Sequence, residues 1–201
     1  MAQAPMAALR TFIRPREPDE RCDTCGAGLP KEHGHTFDPA SRLIRCACEP
    51  CEILYSSVYQ PIPRRVQALP NFVMSDAQWD DLMIPISLAF FSYSTPLKKM
   101  VAQYPGPAGA AESLLRLNAW EDICAANPEL LDLRPDVEAL LVNRVGAARD
   151  YFIVPIDECY KLVGLIRLHW RGLSGGAVVW GEIGRFFGEL RRKGKNASAN
   201  V

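Results

Sequence analysis

The sequence predicts an α+β fold in which a small cysteine-rich module precedes a mixed α+β domain with a C-terminal amphipathic helix. Two observations lead to this fold class. Five of the seven cysteines fall between residues 22 and 51, and apolar residues recur at both strand and helix spacing after residue 71. The chain has 201 residues, 48 % of them hydrophobic, which is enough for one globular domain with a small appendage.

The predicted organisation has four parts. They are a flexible arm (residues 1–20), the cysteine-rich module (21–56), a proline-rich connector (57–70) and the α+β domain (71–195). Pro61 and Pro63 mark the connector, because two prolines in three residues continue neither a helix nor a central strand.

Composition excludes several classes of protein. The 23 Lys and Arg residues balance 23 Asp and Glu residues, so no net charge draws the chain to nucleic acid or to an anionic membrane. No apolar run approaches the roughly 20 residues that a membrane span needs. An odd number of cysteines and the lack of a secretory signal argue against a disulfide framework. We therefore expect a soluble protein of a reducing compartment, the cytoplasm.

Local signals place the first elements of the α+β domain. Ser75 and Gln78 form a capping-box pattern that predicts a short helix. Three more elements are predicted after it: a hairpin with strands at residues 86–93 and 99–104, and a helix that Asn118 and Glu121 open and Asn127 and Pro128 end.

The second half of the domain is predicted as two helices and two strands. Pro135 suits the first position of a helix that closes near Gly146, with an apolar face of Val137, Leu140 and Leu141. Residues 151–154 and 162–170 are the predicted strands. The last helix covers residues 174–193, and its apolar stripe is Val179, Ile183, Phe186 and Leu190.

Two details of this last helix are also predicted. Ser174 is the expected N-cap. Gly181, Gly184 and Gly188 lower helix propensity by up to about 1 kcal/mol each relative to alanine, which indicates close approach of another backbone.

The cysteine-rich module contains two knuckles, each with two cysteines separated by two residues. They are Cys22 with Cys25 and Cys48 with Cys51. Two thiolates at this spacing hold one metal ion while backbone N–H groups of the turn point at the sulfurs. A small hairpin over residues 36–45 fits between the knuckles. These four cysteines are therefore the predicted ligands of a zinc-ribbon or treble-clef-like module.

Zn²⁺ is the favoured ion for four tetrahedral thiolates, and such an ion replaces the hydrophobic core that so short a segment cannot build. The same donor set suits a single redox-active iron of rubredoxin type or an iron–sulfur cluster. Both remain alternatives at this point.

Three further candidate ligands lie inside the module: Cys46, His33 and His35. Residues 33 and 35 fall on one side of an extended chain, so their imidazoles can converge on one atom. A second site, an exchange of ligands, or transfer of metal to a partner would use them. The alternatives are two surface histidines at the start of a hairpin and a thiol that packs beside the first site.

One catalytic motif is present but incomplete. Residues 172–176 match G-x-S-x-G, between a predicted strand and a predicted helix, as a nucleophile elbow requires. No Asp or His follows Ser174, and Asp157 and His169 precede it, so the order of an α/β-hydrolase triad is missing. The sequence therefore favours a protein that is not an enzyme.

Several separated stretches carry a resemblance to a known family. They are the two knuckles, the run Leu-Ile-Arg-Cys-Ala-Cys at 43–48, residues 104–110 and residues 160–172. Over residues 10–192 the chain resembles uncharacterised bacterial proteins encoded beside high-affinity uptake nickel–iron hydrogenases. The resemblance implies a cytoplasmic accessory protein for assembly, maturation or electron transfer of a hydrogenase, with a hydrogenase subunit or maturation factor as partner. The resemblance implies no catalytic residue in this chain.

The function expected from the sequence is thus a metal-binding accessory protein for a nickel–iron hydrogenase. An iron-containing, rubredoxin-like electron carrier that serves the hydrogenase is the alternative.

Overall fold

The computed structural model describes residues 20–113 and 117–198, so nearly all of the predicted arm lies outside the described residues. The strands are β1 Gly34–Asp38, β2 Leu43–Ala47, β3 Gln60–Pro61, β4 Gln67–Ala68, β5 Leu88–Ser94, β6 Lys99–Gly106, β7 Gly109–Ser113, β8 Glu138–Asn143 and β9 Asp150–Pro155. The α-helices are α1 Glu49–Leu54, α2 Asp76–Asp81, α3 Leu117–Ala126, α4 Ile156–His169 and α5 Gly176–Ser198, and a 3₁₀ helix covers Pro128–Asp132. Across these two ranges, no helix has the length and apolarity needed to cross a membrane.

The mixed α+β prediction is confirmed, and the strands form two sheets. A three-stranded sheet has the order β2-β1-β3, and it contains the hairpin expected between the two knuckles. A six-stranded sheet has the order β4-β9-β8-β5-β6-β7, in which all neighbouring strands are antiparallel.

Helices cover both faces of the six-stranded sheet. Phe90 and Leu141 belong to the core on the face that α4 and α5 cover. Phe91, the next residue of β5, belongs to the opposite core, where its ring stacks on Trp120 of α3 with centroids 5.0 Å apart. This alternation along a strand places one residue on each face and gives three layers: helices, sheet, helices.

The predicted connector joins the two sheets. It supplies β3 to the three-stranded sheet and β4 to the six-stranded sheet. Phe37 of β1, together with Ile62 and Val66 of the connector, belongs to the same core as α4 and α5. The small sheet therefore packs on the side of the larger one that α4 and α5 cover. The division into module and domain at residues 57–70 stays a prediction.

The helix expected from Pro135 to Gly146 is wrong, because residues 138–143 form β8. This strand lies between β9 and β5, and all six of its residues are buried. A strand covered on both faces has an unbroken apolar run instead of an alternating one, and such a run also matches helical spacing.

The strand expected at residues 162–170 is wrong as well, because this segment belongs to α4. The buried residues of α4 are Ile156, Cys159, Leu162, Val163 and Ile166. Their spacings of three and four define a helical stripe that begins before residue 162. The apolar residues of the second half of α4 do not by themselves reveal this helical spacing.

The predictions for the start and the glycines of the last helix are also wrong. The helix begins at Gly176, so the residue at the N-cap position is Gly175 and Ser174 lies one residue before it. A Cβ atom added at Gly181, Gly184 or Gly188 would meet nothing within 4 Å. Close approach occurs six residues after Gly188, where a Cβ atom at Gly194 would lie 3.1 Å from Ala68 of β4.

Several further local predictions are confirmed, whereas the start expected for α3 at Asn118 stays a prediction, because residues 114–116 lie outside the described residues. Ser75 and Gln78 form both hydrogen bonds of the capping box at the start of α2. Strands β5 and β6 pair as the expected hairpin, α3 ends before Asn127, and β9 covers the strand expected at 151–154. All four residues of the predicted stripe in α5 are buried.

Candidate metal centre

The first knuckle is a tight turn closed by backbone hydrogen bonds. The Gly26 N–H donates to the Cys22 carbonyl at 2.8 Å, and the Cys22 N–H donates to the Ala27 carbonyl at 2.9 Å. Gly26 has a φ of 74°, a left-handed conformation that favours glycine. The turn brings Cys25 back beside Cys22.

The second knuckle is the start of α1. Cys48 is the residue before the helix, and Cys51 lies in its first turn. Pro50 fits there because the first helical turn leaves N–H groups without intrahelical partners. Two cysteines three positions apart across a helix start therefore direct both sulfurs to the same side.

The structure brings the four predicted ligands together. One sulfur from each of Cys22, Cys25, Cys48 and Cys51 lies within 4.8 Å of the other three. The sulfurs of Cys25 and Cys48 are 3.7 Å apart. A tetrahedral Zn²⁺ site with Zn–S bonds of about 2.3 Å has an S···S edge of about 3.8 Å, so the arrangement fits a four-coordinate ion.

Burial is uneven across this four-cysteine cluster. Cys22 is 2 % exposed and Cys51 is 7 % exposed, whereas Cys25 is exposed to solvent and Cys48 is half-buried. An ion held here would have two sulfurs towards the protein and one sulfur at the surface.

Electrostatics at the cluster favour a cation. Burial raises the pKa of Cys22, but hydrogen bonds from the backbone of Cys48, Cys25 and Thr24 outweigh it and lower the pKa to about 6. Burial and hydrogen bonds with the other cysteine side chains raise the pKa of Cys51 to about 12. One thiolate therefore forms easily, whereas burial and the neighbouring thiolate both oppose a second one. A divalent cation removes that opposition and allows all four thiols to ionise.

The three further candidate ligands form a separate cluster beside the first. One ligand atom from each of His33, His35 and Cys46 lies within 4.8 Å of the others, and all three residues are half-buried. His35 and Cys46 are direct partners in the β1–β2 register, and the rings of His33 and His35 are 4.9 Å apart. We call these residues the His₂Cys cluster.

The first knuckle is connected to this second cluster. The Cys46 N–H donates to a carboxylate oxygen of Asp23 at 2.7 Å, and the Asp23 N–H donates to the Cys46 carbonyl at 2.9 Å. Burial raises the pKa of the Cys46 thiol, and the charges of Asp23 and Glu20 raise it further. The thiol is therefore neutral unless a cation is present.

Asp157 lies in the first turn of α4. In the fold its carboxylate also accepts a hydrogen bond of 2.8 Å from His35 Nδ1. This bond raises the pKa of His35. The two residues are 122 positions apart, and no local pattern signals their contact.

The G-x-S-x-G motif does not meet its possible triad partners in the fold. Ser174 is exposed in the turn between α4 and α5, so no strand precedes it as a nucleophile elbow requires. Among the described residues, no hydrogen bond or ion pair joins Ser174 to Asp157 or to His169, and Asp157 is engaged by His35. The motif at residues 172–176 therefore forms a glycine turn, with φ values of 63° at Gly172 and 84° at Gly175.

Comparison with known proteins gives one match. The model of DUF5947, described as a family of unknown function, matches residues 21–194. This range contains both ligand clusters and both sheets. No curated protein and no solved structure matches the chain.

Proposed function

We propose a metal-binding accessory function for this chain, which belongs to the DUF5947 family. In this proposal Cys22, Cys25, Cys48 and Cys51 hold one Zn²⁺ ion. The observation that carries it is the convergence of four sulfurs within 4.8 Å on two knuckles. Four protein ligands leave no coordination position open, which is typical of structural rather than catalytic zinc.

The module around the cluster supports a structural role for the ion. Phe37 and Ala47 are the buried apolar residues of β1 and β2, and the buried residue of α1 is Cys51 itself. So few buried side chains do not hold about thirty residues in one conformation, whereas a thiolate-bound ion does.

For the cellular role we propose support of the assembly, maturation or function of a nickel–iron hydrogenase in the cytoplasm. The sequence resemblance described above supports this role. Exposed apolar side chains support a protein partner: Ile53, Leu54, Tyr55 and Val58 are 68, 73, 42 and 58 % exposed in and after α1. Contiguous exposed apolar residues are typical of interaction surfaces, and we propose that this one contacts a hydrogenase subunit or a maturation factor.

The second candidate is a rubredoxin-like electron carrier with iron in place of zinc. The exposure of Cys25 favours it, because a sulfur ligand at the surface offers an electron a short path to a partner. Both candidates use the same four ligands and differ in the ion.

Elemental analysis and visible absorption of the purified full-length protein distinguish the two candidates. We expect a colourless protein with one tightly bound zinc ion, and loss of that zinc in Cys22→Ser. Cys124→Ser, which changes a half-buried thiol outside both clusters, is the matched control and should keep the metal. Thiolate-to-iron absorption that bleaches on reduction would reject zinc in favour of the carrier.

Co-expression with the subunits of a nickel–iron hydrogenase tests the partner. We expect the chain to co-elute with a hydrogenase subunit or a maturation factor, and expect Leu54→Ser to weaken that complex without changing the zinc content. A wild-type chain that elutes alone from every such mixture would reject the hydrogenase role and leave the metal site unaffected.

A further inference from the structure

We propose that His33, His35 and Cys46 form a second metal site, which binds an exchangeable divalent transition-metal ion and is separate from the four-cysteine cluster. It does not depend on which ion the four cysteines hold. Three observations carry it: the strand register, the hydrogen bonds of the two imidazoles and one buried nitrogen without a partner.

The register places the three ligands on one side of the small sheet. His35 in β1 faces Cys46 in β2 across an antiparallel pair. Paired residues of adjacent strands project to the same face. His33 precedes His35 by two positions, so its side chain joins them on that face. The donor atoms lie within 4.8 Å of one another, and side-chain adjustments of about 1 Å bring them to the spacing of a tetrahedral ion.

The hydrogen bonds of the imidazoles leave the same nitrogen available in both rings. His33 Nδ1 lies 2.9 Å from the Pro30 carbonyl, and His35 Nδ1 lies 2.8 Å from Asp157 Oδ2. Both partners accept a hydrogen bond, so each Nδ1 carries the proton and each Nε2 presents a lone pair. A carbonyl or carboxylate behind the ring is the usual support of a metal-bound histidine.

The buried nitrogen belongs to His33. Its side chain is only 6 % exposed, and its Nε2 atom is buried with no hydrogen-bond partner among residues 20–113 and 117–198. Buried polar atoms without partners are rare, since burial removes their hydrogen bonds to water. A metal ion between this nitrogen, His35 and Cys46 would satisfy it.

Carboxylates lie against both imidazoles of the cluster. Glu20 lies 3.4 Å from His33 Nδ1, and Asp157 lies behind His35. Cationic side chains line the groove beyond them: Lys31, Arg64, Arg65, Lys161 and Lys193. Three of these five are paired elsewhere, Arg65 with Glu138 and the last two lysines with Glu158. The side-chain charges in contact with the two imidazoles are thus carboxylates, which favour a cation there.

The site is accessible from a groove of about 620 Å³ between the small sheet and α4, which His33, His35 and Asp157 line. Three protein ligands leave one position of a tetrahedral ion open to this groove. Two imidazoles and one thiolate suit zinc, cobalt, nickel or copper better than magnesium or calcium. With fewer thiolates and an open position, we expect weaker binding and faster exchange than at the four cysteines.

Cobalt titration of the full-length protein tests this site. The protein is first saturated with one equivalent of Zn²⁺, confirmed by elemental analysis, and then titrated with Co²⁺. We expect one further equivalent to bind and to give tetrahedral cobalt bands with absorption from a single thiolate. The second site would be overturned if no cobalt bound beyond the first equivalent of zinc, or if the cobalt spectra showed no absorption from a thiolate.

Variants assign the ligands. Cys46→Ser should remove the thiolate absorption, and His33→Ala should weaken cobalt binding by about tenfold or more. His169→Ala is the matched control, because His169 is the third histidine of the chain and lies at the end of α4. Zinc content at the four cysteines should stay at one equivalent in all three. Equal cobalt affinity in His33→Ala and His169→Ala would overturn the assignment.

Asp157→Asn tests the positioning role of the carboxylate. We expect cobalt binding to weaken by about 10- to 100-fold, with an unchanged circular dichroism spectrum and unchanged zinc content. A purely structural Asp157 would lower thermal stability and leave the cobalt affinity as it is, which would reject the positioning role.

Discussion

The six-stranded sheet buries aromatic and aliphatic side chains on both faces, whereas the three-stranded sheet has few buried side chains of its own. On the large sheet, Phe90 and Phe91 are both fully buried, one in each core. In the module, the buried residues are few, and two of them are ligand candidates: Cys22, Thr36, Phe37, Ala47 and Cys51. Under the function proposed above, the two regions have different sources of stability: apolar packing in the large sheet, and bonds from sulfur to a metal ion in the module.

Removal of the metal should produce the largest difference in stability between the two sheets. We expect Cys51→Ser, or chelation of the wild-type protein, to abolish metal binding at the four cysteines and to remove the order of the module. Amide hydrogen exchange is the measurement: the protection of β1 and β2 should disappear, while β8 and β9 keep theirs.

Cys124→Ser is the control for that experiment, since it removes a thiol and leaves both clusters intact. The contrast between the regions would be wrong if β1 and β2 stayed protected in metal-free protein. It would also be wrong if β8 lost its protection together with them.

Truncation of a core aromatic should produce the next largest effect. Phe91→Ala removes a fully buried ring that stacks on Trp120, and such substitutions cost about 3–5 kcal/mol of unfolding free energy. Tyr93→Ala is the control, because Tyr93 lies on the same strand and is 37 % exposed. Chemical denaturation of the metal-loaded proteins measures both. A loss below about 1 kcal/mol for Phe91→Ala would contradict the packing account.

An ion pair between the connector and the large sheet should give a smaller effect. Arg65 donates two hydrogen bonds, of 3.0 and 2.8 Å, to Glu138, whose side chain is fully buried in β8. Arg65→Met leaves that carboxylate without its cation. Because Arg65 is partly exposed and the Arg134 N–H also donates to Glu138, we expect a loss of about 2–3 kcal/mol.

Arg64→Met is the control for the ion pair, since Arg64 is the adjacent arginine and is exposed. Thermal and chemical denaturation should show little change for it. Equal stability of the two variants would mean that the ion pair between Arg65 and Glu138 does not stabilise the contact of the connector with the large sheet.

Short-range features of the fold could be predicted from the sequence. The capping box of α2 and the hairpin of β5 and β6 depend on residues a few positions apart, and both are confirmed. The segment at 138–143 could not be assigned correctly, because it is a central strand whose two faces are buried by the cores on both sides of the sheet. A run that is apolar on all sides fits a helix as well as a central strand.

The candidate site divides in the same way. Spacing alone predicted the four cysteines as a group, and the structure brings their sulfurs together. Cys46, His33 and His35 were predicted as candidate ligands, but the sequence did not decide whether they join the first site. The β1–β2 register decides that they form their own cluster.

By itself, the sequence determined the two cysteine knuckles, the hairpin between them and the amphipathic stripe of α5, because backbone geometry over a few residues sets these features. Only the tertiary structure decided that β8 lies at the centre of a sheet and that Asp157 lies behind His35. Both depend on the packing of segments far apart in the chain, 122 residues in the second case. The spacing of residues along the chain does not tell which distant segment will cover a strand or which distant carboxylate will lie beside a histidine.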